Sequence, residues 1–158
     1  MTRPSADRGK HEALSDSGAP WFAREPAAQG LVVDTSAIVG LLLGEAEAPE
    51  IASRMALASI LLISEANWVE ASLVMSARKG AEGLRALAAL SEMTGLERIP
   101  VDRPIGDAAI AAWERFGKGR HPASLNFGDC FAYALSRCAG LPLLFKGDDF
   151  SRTDVRPA

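Results

Sequence analysis

Cysteine, histidine and long apolar runs are all scarce in this 158-residue chain. The two cysteines, Cys130 and Cys138, fall in one predicted helix, where a rise of 1.5 Å per residue separates them by roughly 12 Å. That separation is too long for a disulfide. The two histidines, His11 and His121, lie far apart in the sequence, so a structural zinc site is not expected. We therefore expect reduced cysteines in a cytoplasmic protein.

No apolar run reaches the ~18 residues that a membrane-spanning helix needs, and the first 29 residues contain no apolar segment of the signal-peptide kind. The formal net charge is −3, so the chain also lacks the basic field that marks simple DNA-binding modules. A nuclease remains compatible with this charge, because its substrate groove needs only a local basic rim. What is present, 48% hydrophobic and 23% charged residues, is the composition of a globular domain with a core.

The composition changes sharply after residue 29 and divides the chain into a tail, residues 1–29, and a domain, residues 30–158. The tail mixes Pro, Gly, Ser and both signs of charge with few large apolar residues, so we expect it to be disordered. Alternatively it is not translated in the host, because residues 31–33 can each correspond to an alternative bacterial start codon. If the tail is present, Trp21 and Phe22 can contact a partner or the domain surface.

From residue 31 onward, short apolar runs alternate with helical patterns. The predicted strands are 31–33, 60–63, 98–101 and 143–145. The predicted helices are 35–43, 49–58, 64–79, 82–93, 102–116 and one that begins at Asn126. Thr35 or Ser36, Ser64 and Asp102 are the expected N-caps of their helices, and Gly80 is expected to break the third. Strands separated by helices favour an α/β fold with three layers, α/β/α, around a central parallel sheet.

Acidic residues follow the first and the last predicted strands. Asp34 comes directly after the first, and Asp148 and Asp149 follow the last. Ligands of open parallel sheets bind at the carboxyl ends of the strands, so these acids can converge there. Clustered carboxylates repel one another, and a hard divalent cation such as Mg²⁺ or Mn²⁺ relieves that repulsion. Such an ion can activate water for in-line attack on a phosphodiester, without a side-chain nucleophile.

Each of the candidate acids has a plainer alternative. Asp34 can be no more than a helix cap, a position that aspartate favours. Glu70 lies mid-helix among apolar residues and can be an ordinary solvated glutamate. Asp129 lies in a helix with apolar residues on several sides, so its carboxylate must be paired, bound to a metal, or energetically costly. The residues alone leave these alternatives open.

Four segments carry a resemblance to a known family: VVDTSAIV (32–39), SEANWVEASLVM (64–75), GRHPASLNFGDCFAYALS (119–136) and LPLLFKGDDF (141–150). Together, in this order, they resemble PIN-domain ribonucleases, specifically the VapC-type toxins of bacterial toxin–antitoxin pairs. The resemblance implies a PIN-like three-layer fold and a cytoplasmic Mg²⁺- or Mn²⁺-dependent endoribonuclease that cleaves structured RNA, typically tRNA or ribosomal RNA. It also implies a cognate VapB-type antitoxin and a homodimer.

The resemblance assigns roles position by position. It makes Asp34 and Asp129 the principal metal ligands, and it makes Glu70 the next acid, bound directly or through water. Thr35 or Ser36 would lend a hydroxyl to the same site.

The fourth acid departs from the family pattern. Many relatives place an acid where Gly147 stands, so the fourth carboxylate must come from Asp148 or Asp149. Adjacent residues of an extended chain point to opposite sides, so one of the two is expected to face the metal. We predict Asp148, because it lies nearer the strand end, and we expect Asp149 to accept backbone N–H groups from the turn at 151–153.

Basic residues beside the acidic motifs are candidate contacts for RNA phosphates: Arg115, Lys118, Arg120 and Lys146. For any one of them a solvated rim is the alternative. His121, which precedes Pro122 in a loop, can act as a general acid, but such a histidine more often orders a turn, so we leave it out of the catalytic set.

Two other functions fit parts of the sequence. A PIN-like domain that serves only as a binding platform would be expected to lack one or more core acids, and all are present here. A phospho-acceptor signalling domain would need its acceptor aspartate after a central strand and an acid pair near the first strand. Here a single aspartate follows the first strand and the acid pair lies at the other end. Both alternatives are therefore disfavoured.

Overall fold

The structure is a computed structural model that describes residues 30–158, so the predictions for the tail lie outside the described part of the chain. Its strands are β1 (Gly30–Val33), β2 (Ile60–Ser64), β3 (Glu97–Ile99) and β4 (Leu143–Leu144). Its helices are α1 (Thr35–Leu42), α2 (Ala48–Leu57), α3 (Glu65–Thr94), α4 (Arg103–Phe116) and α5 (Phe127–Ala139), with a short 3₁₀ turn at Phe150–Arg152. The four predicted strands are present with different ends, and the predicted helices 64–79 and 82–93 form a single interrupted helix, α3. No helix in this part of the chain is long and apolar enough to cross a membrane.

The four strands form one parallel sheet in the order β3-β2-β1-β4. β1 is therefore an inner strand: Val32 pairs with Leu62 of β2 on one side and with Leu143 of β4 on the other. The predicted parallel sheet is confirmed. Because β1 is an inner strand, Asp34, which follows it, lies inside the carboxyl edge rather than at a corner of the sheet.

Alternating residues of each strand face opposite sides of the sheet and build two separate cores. Val32 and Leu143 pack with α4 and α5 on one side. Val33 and Leu144 pack with α1, α2 and α3 on the other side. This arrangement confirms the three-layer α/β/α architecture, in which both faces of the parallel sheet are covered by helices.

Polar side chains begin the helices that leave the carboxyl edge of the sheet. Ser64 and Asp102 cap α3 and α4 through hydrogen bonds from backbone N–H groups, as predicted. Asn126, where the last helix was predicted to begin, caps α5 in the same way. The prediction for α1 is wrong, because its N-cap is Asp34 and not one of the two residues that follow. Asp34 has an extended backbone and accepts the N–H of Ser36, so the chain turns directly from strand into helix.

Helix α3 is interrupted at Gly80, whose φ of 59° and ψ of −142° are not helical. This φ lies in the region that favours glycine, so a side chain here would strain the backbone. The predicted break is confirmed, and it separates the first segment of α3, which carries Glu70, from a second that ends at Thr94.

Both cysteines are free, as expected, and they lie on α5. Cys130 is buried, and its burial raises the pKa of the thiol to about 11. A thiol with so high a pKa is protonated and unreactive at neutral pH, so packing is the role that fits Cys130.

Candidate active site

Asp34 is almost fully buried at the carboxyl end of β1, with 2% of its surface exposed. Its Oδ2 accepts the backbone N–H of Ser36 at 2.8 Å and the Ser36 hydroxyl at 2.6 Å. The Ser36 oxygen in turn accepts the backbone N–H of Lys146, just beyond β4, at 2.9 Å. The carboxylate is thus fixed by the ends of two adjacent strands. Its Oδ1 has one described contact, the amide nitrogen of Asn67 at 3.5 Å.

Asp129 lies in the first turn of α5 and is half-buried. Its Oδ2 accepts the backbone N–H of Asn126 at 2.7 Å, and its own N–H donates to Asn126 Oδ1 at 3.0 Å. This reciprocal capping box holds the carboxylate at the start of the helix, where the helix dipole favours negative charge. Asp129 is therefore a structural residue of α5 as well as a candidate ligand.

Glu70 is turned towards the same edge of the sheet by contacts from two other elements. Its Oε2 accepts the hydroxyl of Thr35 at 2.6 Å. A Cβ atom added to Gly128 of α5 would lie only 2.2 Å from that Oε2. Position 128 must therefore be glycine for the carboxylate to stay where it is.

The pKa values of Asp34 and Asp129 are both raised. Burial raises the pKa of Asp34, and the charge of Glu70 raises it further. Burial likewise raises the pKa of Asp129 to about 7, and the charges of Asp34, Asp149 and Glu70 add to the effect. Hydrogen bonds lower both values in part, but no positive charge contributes to either shift. The structure thus brings Asp34, Glu70 and Asp129 together, and no lysine or arginine of residues 30–158 is among the groups that shift the pKa of Asp34 or Asp129.

Asn67 was not singled out in the sequence, yet it is completely buried at the centre of this group. Its Nδ2 lies 3.0 Å from the carbonyl oxygen of Gly128, 3.2 Å from Thr35 Oγ1 and 3.5 Å from Asp34 Oδ1. The signal that could have identified Asn67 is its position three residues before Glu70, which places both on one face of α3.

Asp148 and Asp149 are both exposed after β4. Of these two acids, Asp149 carries one of the charges that raise the pKa of Asp129. The expectation that Asp149 accepts N–H groups from the following turn is wrong, because its side chain makes no capping hydrogen bond. The turn closes through the backbone instead, with the N–H and the hydroxyl of Ser151 both donating to the carbonyl of Asp148.

The donor set suits a hard divalent cation, although within residues 30–158 no three Asp, Glu, His or Cys side chains already stand in an arrangement that would hold one. Every candidate ligand is an oxygen donor, and the charges of neighbouring acids raise the pKa of Asp34 and of Asp129. Mg²⁺ usually binds proteins through one or two carboxylates and keeps several waters. Asp34 and Asp129 are the two acids that fit this mode of binding.

Two of the four candidate RNA contacts are engaged elsewhere in the protein. Arg115 pairs with Asp154 at 2.8 Å. Lys146 pairs with Glu45 and Glu47, so its charge is largely neutralised. These pairs make Arg115 and Lys146 weaker candidates for phosphate binding than the sequence indicated.

The other two candidates, Lys118 and Arg120, are exposed in the loop between α4 and α5, and neither forms an ion pair with any described residue. In the same loop, His121 Nδ1 accepts the backbone N–H of Ala123 at 3.1 Å. His121 therefore orders the turn, the role that the sequence favoured over general acid catalysis.

Comparison with known proteins identifies the family to which the chain is similar. The PIN domain family model matches residues 31–156. Ribonuclease VapC30 of Mycobacterium tuberculosis is 42% identical over 125 residues, which cover 79% of this chain and 95% of that protein. Ribonuclease VapC of Mycolicibacterium smegmatis is also 42% identical over 125 residues, covering 79% of this chain and 97% of the relative.

Two solved structures have the same fold. The Mycobacterium tuberculosis toxin VapC20, described as cleaving the sarcin–ricin loop, matches with a TM-score of 0.64 and 22% identity, over 80% of this chain and 99% of its own. A chain of a toxin–antitoxin complex from Klebsiella pneumoniae matches with a TM-score of 0.60 and 20% identity, over 78% of this chain and 92% of its own. At these identities the structural matches show the fold alone.

Proposed function

This chain belongs to the PIN-domain family and to its VapC ribonucleases, the toxins of toxin–antitoxin systems, and we propose that it is a Mg²⁺- or Mn²⁺-dependent endoribonuclease. The observation that carries the proposal is the convergence of Asp34, Glu70 and Asp129 at one edge of the sheet. Their mutual repulsion, with no balancing cation in the described part of the chain, is what a divalent ion relieves.

Asp34 and Asp129 are the proposed direct ligands. Glu70, held by the Thr35 hydroxyl, is the next acid and binds directly or through water. Ser36 fixes the Asp34 carboxylate through its hydroxyl and backbone N–H. For the fourth acid we propose Asp149, because its charge is one of those that raise the pKa of Asp129.

A bound divalent ion supplies Lewis acidity that activates water and neutralises charge on the leaving oxygen. The four acids would hold the ion in place, and no side chain acts as a nucleophile. The water oxygen forms a new bond to phosphorus in line with the leaving group. The bond from phosphorus to the leaving ribose oxygen breaks. The attacking water gives up one proton to solvent, and the leaving oxygen takes up one proton from solvent.

The proposed substrate is structured RNA, either tRNA or ribosomal RNA. A structural neighbour that cleaves the sarcin–ricin loop is compatible with this class. Lys118 and Arg120 are the proposed phosphate contacts, because both are exposed and unpaired within the described residues. Contacts of this kind release counterions, so we expect RNA binding to weaken as salt rises.

The proposed partners are a cognate VapB-type antitoxin that blocks the site and a second copy of the chain in a homodimer. The names of the relatives and the toxin–antitoxin complex among the structural neighbours support the antitoxin. The homodimer and the cytoplasmic location follow from the family resemblance, and sedimentation of the purified protein tests the former.

The test of the nuclease is cleavage of purified tRNA and ribosomal RNA with Mg²⁺, with Mn²⁺ or with EDTA. We expect endonucleolytic fragments with either metal and none with EDTA.

Asp34→Asn removes one ligand charge at nearly constant volume and should lower the rate by at least about 100-fold. Asp107→Asn, at an exposed acid of α4, is the matched control and should cleave normally. Undiminished cleavage by Asp34→Asn, or by the wild type in EDTA, would refute the proposal. No cleavage of any RNA would favour the binding-platform alternative.

A further inference from the structure

We propose that Asn67 is a positioning residue that fixes Asp34, Glu70 and the first turn of α5 relative to one another, so that their carboxylates can share one ion. The inference rests on the proposed function. It adds a neutral residue whose effect on catalysis passes through the acids and not through contact with RNA.

The orientation of the Asn67 amide is determined by its neighbours. Ser64 Oγ donates to Asn67 Oδ1 and also accepts the Asn67 backbone N–H at 3.0 Å. The opposite end of the amide faces the carbonyl oxygen of Gly128 at 3.0 Å, which can only accept. The NH₂ group must therefore point towards β1 and α5, and the oxygen towards β2.

One branch of the network runs from Asn67 to Glu70. Asn67 Nδ2 donates to Thr35 Oγ1 at 3.2 Å, and the Thr35 hydroxyl donates to Glu70 Oε2 at 2.6 Å. Thr35 has a single hydroxyl hydrogen. Because Asn67 Nδ2 donates to the Thr35 oxygen, the hydroxyl hydrogen must point elsewhere. Its two acceptors are the Asn67 backbone carbonyl at 3.3 Å and Glu70 Oε2 at 2.6 Å, and the shorter contact favours Glu70. Asn67 thereby sets the direction of the bond that holds the glutamate.

The other branch joins the two principal ligands. The same Nδ2 donates its second hydrogen to the carbonyl of Gly128, the residue directly before Asp129, and lies at the longer distance of 3.5 Å from Asp34 Oδ1. Asn67 lies 33 residues from Asp34 and 61 from Gly128 in the chain. One buried amide therefore spans the end of β1 and the start of α5, the two elements that present the ligands.

A neutral donor is what this position requires. A lysine would balance the acids and compete with the metal, whereas a carboxylate would add to the repulsion. An apolar residue would remove a donor from the Gly128 carbonyl and from Thr35. No described buried side-chain nitrogen or oxygen lacks a hydrogen-bond partner, so the network is complete and losing this amide would leave it unsatisfied.

Mn²⁺ binding without RNA, followed by electron paramagnetic resonance of the free ion, separates positioning from general stability. We expect Asn67→Ala to raise the Mn²⁺ Kd by about tenfold, the scale of lost support behind a metal ligand. The matched control is Ser136→Ala, which removes another buried hydrogen bond, from Ser136 Oγ to the Leu141 carbonyl at 2.6 Å. It should lower the melting temperature but leave the Mn²⁺ Kd unchanged.

An unchanged Mn²⁺ Kd in folded Asn67→Ala would overturn the inference, as would an equal rise in Ser136→Ala. If Asn67→Ala does not fold, Thr35→Val replaces it, because it cuts the branch to Glu70 at nearly constant volume. Thr35→Val should then weaken Mn²⁺ binding, and unaltered binding would again overturn the inference. Failure of the wild type to bind Mn²⁺ would instead refute the proposed function itself.

Discussion

Asp129 belongs to the first turn of helix α5 and Asp154 contacts Tyr133 of the same helix, yet the pKa values of the two carboxyl groups are shifted in opposite directions. Burial and the charges of neighbouring acids raise the pKa of Asp129 to about 7. Asp154 accepts the hydroxyl of Tyr133 at 2.6 Å and pairs with Arg115 at 2.8 Å, and these contacts lower its pKa. Helix α5 thus carries at its start an acid that has no ion pair with any residue of 30–158, and one turn later it contacts an acid that is paired.

The comparison separates a structural acid from a functional one. The folded chain satisfies Asp154 with its own phenol and guanidinium groups, so the carboxylate needs nothing from outside. It leaves Asp129 and Asp34 close to other acids, an arrangement that costs stability unless a cation arrives. The balance of charge, more than the presence of an acid, distinguishes the candidate site.

The largest expected difference between the two acids is in catalysis. Asp129→Asn should reduce the single-turnover rate of RNA cleavage with Mg²⁺ by at least about 100-fold, because a direct ligand is lost. Asp154→Asn should cleave at the wild-type rate, because Asp154 is already partnered within the protein. Equal losses in the two variants would mean that the distinction drawn from charge balance is wrong.

The second difference is in stabilisation by metal. An ion that binds only the folded protein stabilises it by about 2.7 kcal/mol at one hundred times its Kd. Mg²⁺ or Mn²⁺ should therefore raise the melting temperature of the wild type and of Asp154→Asn, but not that of Asp129→Asn. Calorimetric scans with and without the ion measure this. A full metal response in Asp129→Asn would place the ion elsewhere.

The third difference is in the pH dependence of stability without metal. The folded pKa of Asp129 lies near 7, above the value of about 4 in an unfolded chain. Between these values the folded state holds more protons, so its stability falls as pH rises, by about 1–2 kcal/mol for this group. Denaturant unfolding in EDTA should show this slope in the wild type and a shallower one in Asp129→Asn. Identical slopes would contradict the raised pKa.

The fourth prediction concerns the acids after β4. Asp149→Asn should raise the Mg²⁺ concentration needed for half-maximal cleavage by about tenfold, because Asp149 is the acid whose charge reaches Asp129. Asp148→Asn should have little effect on this concentration and serves as the matched control. If Asp148→Asn gave the larger shift, Asp148 would be the fourth acid, as predicted from the sequence.

The smallest effect is expected from Asp154→Asn on stability. The Asp154 side chain is 38% exposed. Loss of its ion pair with Arg115, together with loss of the negative charge that accepts the Tyr133 hydroxyl, should lower the free energy of unfolding by about 0.5–1 kcal/mol. Because the folded pKa of Asp154 is depressed, this contribution is present above its unfolded pKa and disappears as pH falls through the folded value. Chemical denaturation at neutral and acidic pH measures it, and a loss that persists in acid would contradict the assignment.

Local signals in the sequence predicted much of the fold. Apolar runs marked the four strands, and Ser64 and Asp102 could be predicted as caps because capping depends on the next few residues only. The same reasoning placed the cap of α1 at Thr35 or Ser36, whereas the cap is Asp34, for which a capping role was the plainer alternative. It also gave Asp149 a role in the turn that backbone carbonyls perform instead.

By itself the sequence determined the alternation of strands and helices, the acids at strand ends, and a family resemblance that named Asp34, Glu70 and Asp129 together. Only the tertiary structure decided that β1 is an inner strand and that Asn67 of α3 reaches Gly128 of α5. It also decided which acids are balanced. The reason is physical: caps and periodicity act over a few residues, whereas desolvation and charge interactions depend on distances set by packing between segments far apart in the chain.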